Sequence, residues 1–176
     1  MLRVGVLTSE KAPGLAGLLG HPARGRLFDV VNVMTPTPPR RGREAHDAHS
    51  AATFRADGVD AVLLLGYLYV LTEPMLSAFP NRILNIHDSD LSLVRPDGMR
   101  RYRGLHSTRD AIAAGERSTR STVHIVTPSV DDGPILVLSR PYPVPPVVDS
   151  IGRTAWRQRE AMMNDWAGLA VAALEI

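Results

Sequence analysis

Short apolar runs alternate with helix-like segments along this chain, and that alternation constrains its fold more than any other feature. The runs predict strands at 2–7, 28–33, 60–65, 82–87, 122–126 and 135–144. The intervening composition predicts helices at 12–20, 44–56, 73–78, 107–114 and 149–175. Because buried parallel strands read as continuous apolar runs and need helical crossovers, the pattern predicts an open, mostly parallel, doubly wound α/β sheet.

The C-terminal part of the chain departs from this alternation. Only a short connection joins the last two predicted strands, so they should pair as an antiparallel hairpin. Pro141 interrupts the last strand, and a long alanine-rich helix closes the chain. We therefore predict a single domain over 1–176, built on a Rossmann-like sheet of about six or seven strands. The proline-rich stretch 35–42 should be a surface loop.

Composition narrows the functional classes. The 176 residues are 44% hydrophobic, which suffices for one buried core. No apolar run reaches the length of a membrane span, and a net charge of +2 is small for a nucleic-acid surface. We therefore expect neither a membrane nor a nucleic acid as partner. Zero cysteines exclude thiolate chemistry and fit a cytoplasmic protein, which could be a monomer or a homodimer.

Polar residues follow the predicted strands where an open α/β sheet binds its ligand. The carboxyl ends of the strands point to positions 8–9, 66–67, 85–87 and the stretch after 126. Asn85 and His87 are two apart on one strand, so both face the same side. An amide that donates to an oxyanion and an imidazole that moves a proton would form an acyl-transfer pair. The alternative is that Asn85 ties a loop and His87 caps a strand.

An aspartate could complete this pair. Asp131 and Asp132 precede Gly133 and Pro134 after the fifth predicted strand. An aspartate beside His87 would stabilise its protonated form. Because Asp-Gly-Pro is also ordinary turn chemistry, turn propensity does not decide which of the two plays this role.

Four fragments occur here in an order that resembles a known family. They are Asn85-Ile86-His87, Gly104-Leu105-His106-Ser107, Ser121-Thr122-Val123-His124-Ile125-Val126 and Val130-Asp131-Asp132-Gly133-Pro134-Ile135. Together they resemble the glycinamide ribonucleotide formyltransferase-like enzymes, which use 10-formyltetrahydrofolate. Weaker similarity extends from the first strand to Glu160, so the resemblance covers most of the chain.

The resemblance implies transfer of a formyl group from 10-formyltetrahydrofolate, as co-substrate, to an amine of a small-molecule acceptor, without a metal. It implies a catalytic trio of Asn85, His87 and Asp131, since the family aspartate stands two residues before the Gly-Pro pair. Folate would be held by Tyr67, Leu68, Tyr69, Val70, Leu71, Thr127 and Val130. His106 and His124 match positions that line or support the site, and Glu160 matches a residue that faces the acceptor.

Two segments depart from the family pattern. The loop after the first strand contains Ser9, Glu10 and Lys11 where relatives hold a substrate phosphate, which weakens glycinamide ribonucleotide as the acceptor. The segment 91–103 is longer than in the family and is rich in arginine. We predict that it forms a lid in which Arg101 and Arg103 bind an anionic group of the acceptor; alternatively, its arginines form a solvated face.

Other functions stay open at this point. Water could replace the amine, which would make the chain a 10-formyltetrahydrofolate hydrolase. A non-catalytic folate or nucleotide binder would have lost the trio, yet all three residues are present. His87, His106 and His124 could form a metal centre, which the resemblance makes a minor alternative. His46 and His49, three residues apart, have no evident third ligand nearby and should lie on a solvated helix face.

Overall fold

The computed structural model describes residues 1–35 and 41–176, which form eight strands and six helices. The strands are β1 (Leu2–Thr8), β2 (Phe28–Met34), β3 (Ala61–Leu65), β4 (Ile83–His87), β5 (Ser118–Thr119), β6 (Thr122–Ile125), β7 (Ile135–Leu138) and β8 (Tyr142–Pro143). The helices are α1 (Leu15–Leu19), α2 (Arg43–Ala56), α3 (Glu73–Ala78), α4 (Ser107–Ala113), α5 (Ile151–Met163) and α6 (Trp166–Leu174). Most of the loop predicted at 35–42 lies outside the described residues.

Six strands form one sheet in the order β2-β1-β3-β4-β6-β7. The first four are parallel, as their apolar runs predict. Val4 and Val6 of β1 face a core cluster that includes Trp166 of α6, whereas Leu7 faces a second cluster that includes Phe54 of α2. Because apolar side chains are buried on both faces, the doubly wound α/β fold predicted from the sequence is confirmed.

Strand β6 is antiparallel to β4, whereas two strands joined through a helix are usually parallel. The connection between these two strands contains α4. Helix α4 packs against α5 and does not cross the sheet to return a parallel strand. Strand β7 in turn pairs antiparallel with β6, so the predicted C-terminal hairpin is confirmed. The carboxyl end of β6 therefore points away from the edge where β4 ends.

Two predicted elements are each divided in two. The strand predicted at 135–144 becomes β7 and β8, and β8 pairs with β5 in a separate two-stranded sheet. The helix predicted at 149–175 ends at Met163 and resumes at Trp166. At this break the Asp165 carboxylate accepts hydrogen bonds from Arg140 and the Tyr142 hydroxyl. The prediction of one uninterrupted helix did not include these contacts. Among the described residues, no helix is long and apolar enough to cross a membrane.

Candidate active site

Two adjoining cavities lie along the edge of the sheet where β1, β3 and β4 end. The first has a volume of about 350 Å³ and lies over Asn85, His87 and Asp131. The second has a volume of about 800 Å³ and lies between the loop after β1 and helix α5. Residues 66–69 and Arg159 line both cavities. This arrangement can hold two small molecules side by side.

Asp131 and His87 form an ion pair at the base of the first cavity. Oδ2 of Asp131 lies 3.4 Å from Nδ1 of His87, and the two side chains are only 9% and 6% exposed. The same oxygen accepts a hydrogen bond of 2.7 Å from the backbone N–H of Gly104. Burial raises the pKa of Asp131, but the hydrogen bond to His124, the charge of His87 and the Gly104 amide lower the pKa to about 2. Asp131 is therefore an anion at neutral pH.

Asp131 reaches His87 through a loop that folds back. Because β6 runs antiparallel to β4, the chain leaves β6 in the wrong direction and returns over residues 127–133. Gly133 permits this return, since a Cβ atom there would lie 1.9 Å from the Ile125 carbonyl oxygen. Asp131 itself has a φ of 52°, in the left-handed region that few non-glycine residues adopt. Such strain often accompanies functional positions.

The imidazole of His87 contacts a hydrogen-bond acceptor at each nitrogen. Nε2 lies 3.0 Å from the backbone carbonyl oxygen of Tyr102, and Nδ1 faces Asp131. A carbonyl oxygen can only accept, so Nε2 carries a proton. When Nδ1 is also protonated, the ring is a cation paired with the Asp131 carboxylate, and it can stabilise negative charge in the cavity.

Asn85 presents its amide to the cavity and is held there by His124. Its Nδ2 lies 3.2 Å from Nε2 of His124, whose Nδ1 lies 3.0 Å from the Ile125 carbonyl. Nε2 of His124 also lies 3.5 Å from Oδ1 of Asp131. When Nε2 of His124 is unprotonated it accepts from Asn85, and when it is protonated it donates to Asp131. His124 therefore contacts both Asn85 and Asp131 and joins the two side chains at the wall of the first cavity.

The residues predicted to hold folate all line the first cavity. Tyr67, Leu68, Tyr69, Val70 and Leu71 form one wall, and Thr127 and Val130 form part of another. The rim is apolar and open to solvent at Leu68, Val70 and Val130. Gly66, with a φ of 64°, lets Pro13 pack against this wall, because a Cβ there would lie 2.6 Å from the Pro13 ring.

Four of the residues predicted to bind the acceptor line the second cavity. They are Ser9, Glu10, Lys11 and Glu160. Nζ of Lys11 lies 4.8 Å from the ring centroid of Trp156, which is half exposed in the same wall. Trp156 thus faces this cavity, whereas Trp166, the other tryptophan of the chain, is buried in the core.

The sequence did not single out Arg159. Its guanidinium pairs with the carboxylate of Asp88, the residue that follows β4. Trp156, Arg159, Glu160 and Met163 stand at positions i, i+3, i+4 and i+7 of α5, so they share one helix face, and all four line the second cavity. That spacing is the signal that could have identified Arg159.

Three predicted acceptor residues lie elsewhere. Among the described residues that line the two cavities, Arg101, Arg103 and His106 do not occur. Arg101 pairs with Glu116 at 3.1 Å, and its guanidinium lies 5.1 Å from the ring of Tyr102. The lid prediction assumed that these arginines point into a cavity, whereas neither Arg101 nor Arg103 lines one of the two described here. Within the described residues, no three histidine or carboxylate side chains are placed to hold a metal ion.

Comparisons with known proteins match this sequence and fold to one group of enzymes. The family described as formyl transferase matches residues 4–163. The trifunctional purine biosynthetic protein adenosine-3 of Drosophila melanogaster is 31% identical over 162 residues, which is 92% of this chain and 11% of that protein. The phosphoribosylglycinamide formyltransferase of Haemophilus influenzae is 39% identical over 102 residues, 58% of this chain and 43% of that protein.

A solved structure extends the match over the whole chain. The crystal structure of glycinamide ribonucleotide transformylase 1 from Symbiobacterium toebii superposes with a TM-score of 0.78 at 32% identity, covering 99% of this chain and 86% of that one. By contrast, the chain spans less than half the length of the two relatives matched by sequence. The likeness in fold therefore extends over nearly the whole chain.

Proposed function

This chain belongs to the formyl transferase family, and we propose that it transfers a formyl group from 10-formyltetrahydrofolate to an amine of a small-molecule acceptor. The observation that carries the proposal is the Asp131 carboxylate, held between His87 and His124 beside the Asn85 amide. These groups line the first cavity, which adjoins the second along residues 66–69 and Arg159, so a donor and an acceptor can bind side by side.

The first cavity suits the formyl donor. Its volume of about 350 Å³ falls within the range of small-molecule sites, and its walls combine apolar side chains with backbone groups. A pterin ring is flat and has donors and acceptors along its edge, which the backbone of 66–71 and 127–131 can meet. The exposed Leu68, Val70 and Val130 would contact the apolar part of the folate that leaves the cavity.

The reaction exchanges one nitrogen for another on the formyl carbon. The acceptor nitrogen forms a bond to this carbon, the bond from the carbon to N10 of the folate breaks, and one proton moves from the acceptor nitrogen to the folate nitrogen. Asn85 donates to the formyl oxygen, where negative charge collects. The cationic ring of His87 stabilises the same charge, and Asp131 maintains that cation and assists the proton transfer, directly or through water.

The second cavity suits the acceptor. Lys11 and Arg159 supply positive charge to its walls, so we propose that they meet an anionic group of the acceptor in place of Arg101 and Arg103. Glu10 and Glu160 lie in the same cavity and Pro13 offers no backbone N–H, both unfavourable for a phosphate. We therefore propose an acceptor other than glycinamide ribonucleotide, although relatives are named for acting on it.

Hydrolysis of 10-formyltetrahydrofolate is the competing function. It would use the same trio, with water in place of the amine. The second cavity favours transfer, because it adjoins the cavity that the trio lines and its volume of about 800 Å³ far exceeds what a water molecule needs.

A deformylation assay tests the proposal. The purified protein is given 10-formyltetrahydrofolate or a formyl-dideazafolate analogue, and loss of the formyl group is followed with and without a panel of amines. Turnover that depends on an amine supports the transferase, whereas equal turnover without any amine identifies a hydrolase. Failure to bind either folate would refute both functions.

A further inference from the structure

We infer that Arg100 is a positioning residue that holds the Asp131 loop in its reactive conformation, an inference that rests on the proposed formyl transfer. Arg100 lies in the long segment 91–103, and it lines neither of the two cavities described. It acts on the site through Asp131, not by contact with substrate.

The guanidinium of Arg100 donates two hydrogen bonds to the backbone of the loop 127–133. Nη1 donates a hydrogen bond of 2.8 Å to the carbonyl of Asp131, and Nη2 donates one of 2.8 Å to the carbonyl of Gly133. Both contacts are partly buried. A planar guanidinium offers two parallel donors in fixed geometry, so the pair of bonds sets both the position and the orientation of the loop.

The loop needs such a hold. Asp131 has a left-handed backbone conformation, which is costly for a non-glycine residue. The other described polar contacts that join 127–133 to the rest of the chain end on the Asp131 carboxylate, at Gly104, His87 and His124. Among the described residues, Arg100 is therefore the side chain that secures the loop backbone.

The same short segment also holds His87. The Tyr102 carbonyl, two residues after Arg100, accepts from Nε2 of His87 at 3.0 Å and from the Ser89 hydroxyl at 2.6 Å. The Tyr102 hydroxyl donates to Glu116 at 2.7 Å, which anchors the segment from outside. Residues 100–102 thus bind both members of the ion pair and set the separation between them.

This arrangement gives the long segment a role different from a lid. A lid would contribute side chains to bound substrate and change its affinity. A positioning residue changes the distance and orientation of Asp131 relative to His87, so its loss should slow the chemical step and leave substrate binding nearly intact. A misplacement of about 1 Å in a reacting group can cost on the order of 100-fold in rate.

The test compares Arg100→Met with Arg95→Met. Arg95 lies on the same segment, is exposed, and pairs with Asp97 at its surface, so it controls for the loss of a charge. We expect Arg100→Met to lower kcat by about 10- to 100-fold and to change either KM by less than about threefold. On acidification, Arg100→Met should also lose activity at a higher pH than the native chain does. The reason is that a displaced Asp131 carboxylate loses the contacts with His124, His87 and Gly104 that lower its pKa. Arg100→Lys, which restores charge but not the paired donors, should be intermediate.

Hydrogen exchange provides a reading that needs no substrate. Amides of 127–133 should exchange faster in Arg100→Met than in the native chain or Arg95→Met, while amides of β1 and β3 stay protected. Unchanged exchange in the loop, or a kcat equal to that of Arg95→Met, would overturn the inference. If the native chain does not deformylate the folate, the proposed function fails, and the exchange experiment still decides whether Arg100 holds the loop.

Discussion

Nδ1 of His87 lies 3.4 Å from Oδ2 of Asp131, while the opposite nitrogen of the same ring faces the Tyr102 carbonyl at 3.0 Å. Both partners are acceptors, so a ring with a proton on each nitrogen satisfies both. Asp131 remains ionised because His124, His87 and Gly104 outweigh its burial. The structure therefore places the His87 ring and the Asp131 carboxylate in contact at one wall of the first cavity, where a protonated ring would pair with the carboxylate.

The depressed pKa of Asp131 predicts a pH-dependent contribution to stability. Its pKa is lowered from 3.8 to about 2, so folding favours the ionised form. The contribution is present above about pH 4 and is lost as the pH falls to about 2. Near neutral pH, Asp131→Asn should lower the free energy of unfolding by about 2 kcal/mol.

Urea unfolding between pH 2 and 7 measures this contribution. The difference between the native chain and Asp131→Asn should shrink as the pH falls from 4 to 2. Asp132→Asn is the matched control, because Asp132 is exposed and should show little difference at any pH. A gap for Asp131→Asn that stays constant down to pH 2 would contradict the assigned contacts.

Gly133 should be essential for the return of the Asp131 loop. A Cβ at this position would lie 1.9 Å from the Ile125 carbonyl oxygen, so Gly133→Ala must move the loop away from β6. We expect a lower Tm together with a large loss of kcat, since Asp131 moves with the loop.

Gly168→Ala provides the comparison. Gly168 lies within α6 and has nothing within 4 Å of its Cβ direction, so this change should stabilise the chain by up to about 1 kcal/mol and leave kcat unchanged. Thermal unfolding and steady-state assays on both variants check the prediction. A Gly133→Ala protein with native Tm and kcat would show that the loop need not approach β6 so closely.

Lys11 should contribute to acceptor binding and not to folate binding. It is the only lysine in the chain and lines the second cavity beside Trp156. Lys11→Met should raise the KM of the best amine in the panel by about 10-fold, the cost of about 1.4 kcal/mol of lost binding, with the folate KM unchanged.

Arg26→Met serves as the control, because Arg26 is exposed and lines neither cavity. Lys11→Arg should recover part of the affinity if charge is what matters. Equal rises in both KM values would show that Lys11 supports the structure of the site rather than the acceptor.

Much of the fold follows from local patterns in the sequence. A parallel strand that helices cover on both faces is apolar along its whole length. The apolar runs of β1, β3 and β4 therefore predict buried parallel strands, and their side chains do lie in core clusters on both faces of the sheet. The two-residue period also places Asn85 and His87 on one side of β4, where both line the first cavity. These features depend on neighbouring residues, so they are visible without a structure.

Other features depend on contacts that are distant in sequence. The direction of β6 could not be predicted, because α4 has the composition of a crossover helix but packs against α5. Turn propensity treats Asp131 and Asp132 alike, and only the folded loop brings Asp131 to His87. The arginines of 91–103 look equivalent in the sequence, yet Arg100 grips the loop and Arg101 pairs with Glu116.

Asp131 is the carboxylate on which the proposed transfer step depends most. Asn adopts the left-handed backbone conformation more readily than most residues, so Asp131→Asn should keep the loop in place while it removes the charge. Asp132→Asn is the matched change one residue away, at an exposed side chain that lines neither cavity.

The decisive measurement is the single-turnover rate of formyl loss from 10-formyltetrahydrofolate, with the best amine present, for the native chain and these two variants. We predict that Asp131→Asn slows this step by about 1,000-fold or more, with folate affinity within about threefold of native, and that Asp132→Asn is near native. A native rate in Asp131→Asn, or a loss in Asp132→Asn alone, would contradict the proposed role of Asp131 in formyl transfer.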